Sequence, residues 1–101
     1  MAEKKIKVEW HKEASLHFNQ ILEYLSNESE QAVSIVGNSI LDEIEKLPKH
    51  TKAHSLDRFK RSNDGNYRAL IVYSYRISYY VDINIIYILR IRHMSREPLE
   101  Y

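Results

Sequence analysis

The chain of 101 residues contains no cysteine and has only two glycines and two prolines. The absence of cysteine excludes disulfide bonds and metal sites built from thiolates. Because Gly37 and Gly65 are the only glycines, the chain has no glycine-rich loop to wrap a phosphate, which excludes nucleotide-triphosphate chemistry. Little room remains for flexible linkers, and the length is that of a single domain, which we expect to span residues 1–101.

Long apolar runs are also missing. No uninterrupted run is longer than that at residues 85–89, which is far too short to cross a bilayer. No apolar stretch follows the charges of the first seven residues, so no secretory signal is predicted. A hydrophobic fraction of 44% with 29% charged residues is typical of an ordinary globular protein. Together with the lack of cysteine, these features predict a cytoplasmic protein with no membrane partner.

The first 57 residues contain no arginine. They carry seven lysines and ten acids, a net charge of −3, whereas the remainder carries all seven arginines, one lysine and four acids, a net charge of +4. Arginine binds phosphate and carboxylate groups in a planar, two-pronged way, and lysine does not. The basic half therefore predicts a surface that binds an anionic polymer or an acidic partner. For any single arginine, the alternative is that it only solvates one side of a sheet.

The apolar periodicity predicts the order of the elements. Residues 6–10 alternate as a strand does, and residues 12–47 show two helical stripes separated by a break at residues 26–29. Three strand runs with short links follow at residues 67–73, 76–81 and 85–92, and we expect a further short strand at residues 56–60 and a turn at residues 63–66. The predicted fold class is α+β: an N-terminal strand, an antiparallel helical hairpin, then a three- to four-stranded antiparallel sheet with the helices against one face.

Alternation along each strand predicts which side chains share a face. In the strand at residues 76–81, Arg76, Ser78 and Tyr80 point one way. In the last strand, strict alternation places Arg90 and Arg92 on the same face as Ile86 and Ile88. The expectation is that the apolar side chains pack on the helices and that Arg76, Arg90 and Arg92 lie on open faces.

Three segments of the basic half carry a resemblance to a known family: residues 67–70 (YRAL), residues 75–81 (YRISYYV) and residues 85–96 (IIYILRIRHMSR). With the element order, they resemble the RelE/ParE superfamily of bacterial toxins from type II toxin–antitoxin modules, which include plasmid-stabilisation systems. RelE-like members are metal-free endoribonucleases that cut messenger RNA on the ribosome, whereas ParE-like members poison DNA gyrase. The resemblance also implies a cognate antitoxin protein as partner and no cofactor.

For the nuclease branch, the resemblance implies a catalytic site at Arg76, His93, Arg96 and Tyr101. Arg76 and Arg96 would hold the scissile phosphate, His93 would transfer a proton, and Tyr101 would stack on a base or position the attacking 2′-hydroxyl. The remaining basic side chains are predicted to bind RNA, namely Arg58, Lys60, Arg68, Arg90 and Arg92. No metal site is predicted among the histidines.

Two alternatives stay open beside the nuclease. One is a ParE-like gyrase poison that acts by surface contact through the helical hairpin or the tail, and the other is a relative that retains only antitoxin binding. For Arg76 the competing structural role is an ion pair with Glu97, Glu100 or Asp82, and for His93 it is packing at a strand end. Convergence of the four predicted catalytic side chains would favour the enzyme, and their dispersal would favour the binding protein.

Overall fold

The computed structural model describes residues 6–96 and 100–101. Its elements follow one another in the predicted order. The strand β1 (Lys7–Trp10) precedes the helices α1 (Lys12–Ser26) and α2 (Glu30–Lys46), a short 3₁₀ turn covers Leu47–Lys49, and the strands β2 (Tyr67–Val72), β3 (Tyr75–Val81) and β4 (Ile85–His93) complete the chain. The predicted α+β class is confirmed.

Local sequence explains the bounds of the helices. Ser29 caps α2, since its hydroxyl accepts a hydrogen bond from the Ala32 N–H at 2.9 Å. Pro48 follows the end of α2 and confines the chain to a single 3₁₀ turn. At Gly37 an added Cβ would lie 3.0 Å from the Leu22 side chain, so the absence of a side chain lets the two helices approach closely. Within residues 6–96 and 100–101, neither helix is long and apolar enough to cross a membrane.

The strands form one sheet in the order β1-β4-β3-β2. β2, β3 and β4 are antiparallel, as predicted, while β1 runs parallel to β4. The hairpin covers one face, where α1 contacts β4 and α2 contacts β2. The core lies between these layers, and its buried members are Ala14, Ile40, Ile44, Leu47, Leu70, Val72, Tyr75, Ile77, Tyr79, Ile86, Ile88 and Ile91.

A β-bulge in β4 corrects the predicted faces. Ser78 pairs with Arg90 but Tyr79 pairs with Ile88, which leaves Leu89 as an extra residue without a partner. The extra residue reverses the alternation, so Ile91 joins Ile88 on the helix side and Arg90 turns to the opposite face. Arg76 and Arg90 were expected to lie on open faces of the sheet, which is wrong, because each residue is only 8% exposed.

The segment before β2 is not a strand, and its residues Asp57 and Phe59 contact Arg76 on the face opposite the helices. Only one bridge, between Leu56 and Arg68, replaces the strand expected at residues 56–60. The ladder stops there because the Asp57 side chain accepts the Phe59 N–H at 3.1 Å and the Asp57 carbonyl accepts the Lys60 N–H at 3.1 Å, which bends the backbone into a turn. At residues 63–66, where a turn was expected, the chain bends at Gly65 without a hydrogen-bonded backbone turn, and the Asn63 and Asp64 side chains accept the Gly65 and Asn66 N–H groups at 2.8 and 2.9 Å.

Candidate functional site

The structure does not bring the four predicted catalytic residues together. Arg76 and Tyr101 lie on the face opposite the helices, where both side chains bond Asp57. His93 and Arg96 line a cleft beside α1. The described residues therefore contain two candidate sites, which we call the Asp57 network and the α1–β4 cleft.

The Asp57 network consists of Asp57, Phe59, Arg76, Arg90 and Tyr101. Asp57 is 1% exposed, and both of its carboxylate oxygens have partners. Oδ1 accepts from Arg76 Nη2 at 3.0 Å and from the Phe59 N–H at 3.1 Å, and Oδ2 accepts from the Tyr101 hydroxyl at 2.7 Å. Arg76 thus forms the expected internal ion pair, but its partner is Asp57 and not Glu100 or Asp82. Glu97, the third expected partner, lies outside the described residues.

At neutral pH the Asp57 carboxyl group is ionised and the Tyr101 hydroxyl is protonated, so their hydrogen bond persists. Burial by itself raises the pKa of Asp57, but the hydrogen bonds donated by Tyr101, the Phe59 N–H and Arg76 outweigh it and lower that pKa below its ordinary value. Burial and the hydrogen bond to Asp57 raise the pKa of Tyr101. Tyr101 therefore stays protonated and donates a hydrogen bond to the ionised Asp57 carboxylate. The phenol is not available as a base.

Aromatic rings cover both arginines of the network. The Phe59 ring lies 4.7 Å from the guanidinium carbon of Arg76, and the Tyr101 ring lies 3.9 Å from that of Arg90. Lys60 approaches the Tyr101 ring at 5.3 Å. Burial lowers the pKa of Arg90, while Tyr101 and Asp57 act in the opposite direction, and a guanidinium remains charged at neutral pH. Stacking of cations on rings stabilises this side of the sheet.

The α1–β4 cleft opens between α1 and the end of β4 and has a volume of about 390 Å³. The bulge positions its β4 wall, and none of its described lining residues is an acid. His93 packs edge-on against Tyr75, with 5.4 Å between ring centroids, and its Nδ1 accepts the Ser95 N–H at 3.1 Å. The lining residues are His17, Gln20, Ile21, Tyr24, Tyr75, Ile91, Arg92, His93, Ser95 and Arg96. The cleft therefore combines cations, aromatic rings and an apolar floor.

His17 joins α1 to the bulged strand. Its Nδ1 accepts the Ile91 N–H at 3.2 Å, and because a backbone N–H only donates, Nδ1 carries no proton. Burial lowers the pKa of His17, and Arg92 and Arg90 lower it further, against an opposing effect of Glu13. Protonation of Nδ1 would remove the acceptor for Ile91.

The stability of the fold is expected to fall as the pH decreases below 6.5, the ordinary pKa of His17. A histidine whose pKa is lowered by folding contributes stability above the unfolded-state pKa, and this contribution is lost as the pH falls through the folded-state value. Urea unfolding between pH 7.5 and 5 measures the effect, and His17→Asn, which retains an acceptor near Nδ1 without titrating, is the matched control. Identical pH profiles for both proteins would exclude a role of His17 in pH-dependent stability.

Three of the other basic residues predicted to bind RNA, Arg58, Lys60 and Arg90, lie near the Phe59 and Tyr101 rings, whereas Arg68 and Arg92 lie elsewhere. Arg68 is directed into the preceding loop, where its Nη1 donates to the His54 carbonyl at 2.7 Å. Arg58 is exposed and stacks on Phe59 at 4.8 Å, and Lys60 contacts the Tyr67 ring at 4.7 Å. Arg92 lines the cleft, and Arg90 is buried in the Asp57 network. Within the described chain, no group of three or more histidine, aspartate or glutamate side chains is placed to hold a metal ion.

Sequence reasoning missed the central residue of the network. No pattern indicated that Asp57 would bond Arg76, nineteen positions away, and Tyr101, forty-four positions away. It also missed Gln20 and Tyr24, which helical spacing places on α1 without indicating that β4 would end beside them.

One solved structure shares this fold. The solved structure described as "Chromosomal ParDE TA system from P. aeruginosa" superimposes with a TM-score of 0.73 at 14% identity, covering 92% of this chain and 100% of that chain. A conserved hypothetical protein from Helicobacter pylori gives a TM-score of 0.46 at 20% identity, covering 90% of this chain and 97% of that one. No curated protein matches the chain.

The class of protein follows from the family comparison. A family model described as the ParE toxin of the type II toxin–antitoxin system parDE matches residues 8–98. The chain therefore belongs to the ParE toxin family, and it is the toxin of a type II toxin–antitoxin system with an antitoxin as its partner. The predicted superfamily is confirmed.

Proposed function

We propose that this toxin inhibits growth by binding a protein target and not by cutting messenger RNA. The observation that carries the proposal is the separation of Arg76 and Tyr101 from His93 and Arg96. Acid–base cleavage needs the proton-transfer group and the phosphate-binding cations within hydrogen-bond reach of one substrate group. Here Arg76 and Tyr101 are both engaged by Asp57, and neither lines the cleft that contains His93. The resemblance to gyrase-poisoning toxins makes DNA gyrase the target to test first.

The rim of the α1–β4 cleft supports a role in protein contact. Three large apolar or aromatic side chains are exposed near it, with Tyr24 at 61%, Tyr73 at 60% and Met94 at 42%. The Met94 N–H donates to the Ser74 carbonyl at 2.8 Å, which fixes the β2–β3 turn beside the end of β4. Aromatic residues, methionine and arginine are enriched in protein–protein interfaces. We infer that this rim, with Arg92 and Arg96, contacts the target.

The backbone of Tyr73 gives a second reason for placing the contact surface here. Tyr73 has a φ of 54°, a left-handed conformation that is uncommon outside glycine and asparagine. An exposed tyrosine does not recover the cost of this conformation by packing in the core. Two-residue hairpin links commonly need a residue at positive φ, and strained residues also cluster at binding and catalytic sites. The conformation belongs to the β2–β3 link, which the Met94 N–H joins to the end of β4.

Induced expression in a bacterial cell tests the proposed activity when DNA replication and translation are sampled separately within minutes. We expect replication to stop first, with a DNA-damage response and intact messages, and we expect purified toxin to inhibit supercoiling by gyrase. An early fall in translation with messages cleaved in the ribosomal A-site would contradict the proposal and support the ribonuclease. The Arg96→Glu, Tyr24→Ala variant, which is changed only at the α1–β4 cleft, serves as the matched control.

A further inference from the structure

The strand β1 is one edge of the sheet, because β4 pairs with only one of its two sides. The Lys7 N–H donates to the Asn84 carbonyl at 2.9 Å, so the backbone groups of Lys7 point toward β4. Backbone groups of successive residues in a strand point to opposite sides, so Val8 and Trp10 direct their N–H and C=O groups away from β4. Among the described residues, no strand lies on that side. Such a row of backbone groups is a template for pairing with a further strand.

The side chains of β1 divide between the two faces of the sheet. Val8 and Trp10 are half-buried and, together with Ile6, pack against the core on the helix side. Lys7 and Glu9 are exposed on the opposite face. A lysine on an edge strand normally discourages pairing with another strand. Here an acid lies two positions along the same face, so a partner strand of the right sequence can neutralise both charges.

The sequence of β1 is complementary to itself in one register. Two antiparallel copies of β1 can pair about a two-fold axis at position 7, 8 or 9 and still bring their outward-pointing backbone groups together. An axis at Lys7 or at Glu9 places two like charges directly opposite each other. An axis at Val8 instead places Lys7 opposite Glu9 of the second copy. On the helix side the same register places Ile6 opposite Trp10. Unlike charges opposite each other stabilise a strand pair and like charges destabilise it, so the axis at Val8 is favoured.

We propose that β1 is a self-association edge, through which two copies of this toxin join their sheets about a two-fold axis at Val8. Val8 exchanges backbone hydrogen bonds with Val8 of the second copy, and Trp10 does so with Ile6. The interface uses the same patch on both copies and closes after two, so it forms a dimer and not a fibre. β1 pairs with Ile85–Ile88, whereas the α1–β4 cleft begins on β4 at Ile91, so the dimer leaves both clefts outside the paired strands.

Reversing one charge of β1 is expected to weaken the dimer, and combining the two reversals is expected to restore it. Lys7→Glu and Glu9→Lys each place like charges opposite each other on both sides of the axis, so each should raise the Kd of the dimer by about tenfold or more. An equimolar mixture of the two variants should form a heterodimer, because every opposed pair then joins an acid to a lysine. Sedimentation equilibrium of the full chain at low ionic strength measures the association, since salt screens exposed charges.

The controls separate this edge from other routes to a dimer. Both substituted residues are exposed, so the melting temperature should stay close to that of the wild type. Lys49→Glu makes the same charge change at an exposed position outside β1 and should dimerise as the wild type does.

Either of two results overturns the proposal. One is a wild-type chain that stays monomeric at every concentration, and the other is a mixture of the two variants that associates no better than each variant alone. These measurements require neither gyrase nor growth inhibition, so their outcome is independent of the proposed function.

Discussion

Replacing Arg76 with methionine is expected to lower the free energy of unfolding by about 3–5 kcal/mol, because it leaves the buried Asp57 carboxylate without its counter-charge. The Arg76 side chain is 10% exposed and that of Asp57 is 0% exposed, so water does not replace the lost partner. A domain of this size is stabilised by only about 5–15 kcal/mol in total, so the variant should lose a large part of its stability. Urea unfolding followed by circular dichroism measures the loss.

Two further variants separate this structural role from a role in binding substrate. Arg92 of β4 pairs directly with Arg76, is half-buried and forms no ion pair among the described residues. Arg92→Met should therefore lower the free energy of unfolding by less than about 1 kcal/mol. The double variant Asp57→Asn with Arg76→Met removes both charges and should recover part of the lost stability. An Arg76→Met protein that is as stable as the wild type but no longer toxic would contradict the structural role and restore the catalytic one.

Reversing the charge of the cleft is expected to abolish growth inhibition without unfolding the protein. Arg96 is exposed and lines the α1–β4 cleft, so Arg96→Glu changes the surface but not the core. Combined with Tyr24→Ala, which removes a 61% exposed ring from the rim, it should weaken binding to the target by about tenfold or more. Viable counts after induction, together with the melting temperature of the purified variant, measure the two effects separately.

The matched control for this experiment is Lys49→Glu, which makes the same charge change at an exposed position that is not part of the cleft lining. It should leave toxicity unchanged. Full toxicity of a folded Arg96→Glu, Tyr24→Ala protein would place the target contact elsewhere on the surface. Loss of toxicity in Lys49→Glu as well would indicate a general dependence on net charge and not a contact at the cleft.

Helical periodicity was sufficient to predict the hairpin. An apolar stripe at a spacing of 3.6 residues fixes which face of each helix packs against the sheet. The short links after β2 and β3 were likewise sufficient to predict the antiparallel order of three strands, which the structure confirms. The strand expected at residues 56–60 was wrong because the alternating pattern does not reveal that Asp57 bends its own backbone into a turn. Local patterns thus predicted elements where regular hydrogen bonding continued, and failed where a side chain interrupted it.

The sequence by itself determined the α+β class, the toxin superfamily and the concentration of arginine in the second half of the chain. Only the tertiary structure decided what those arginines do. One extra residue at Leu89 reverses the alternation of β4, which places Arg90 beside Asp57 and Tyr101 on the face opposite the helices. A bulge is a property of the pairing between two strands and is not visible in either strand alone. For that reason the sequence indicated the charges, and the fold divided them between a buried network and an open cleft.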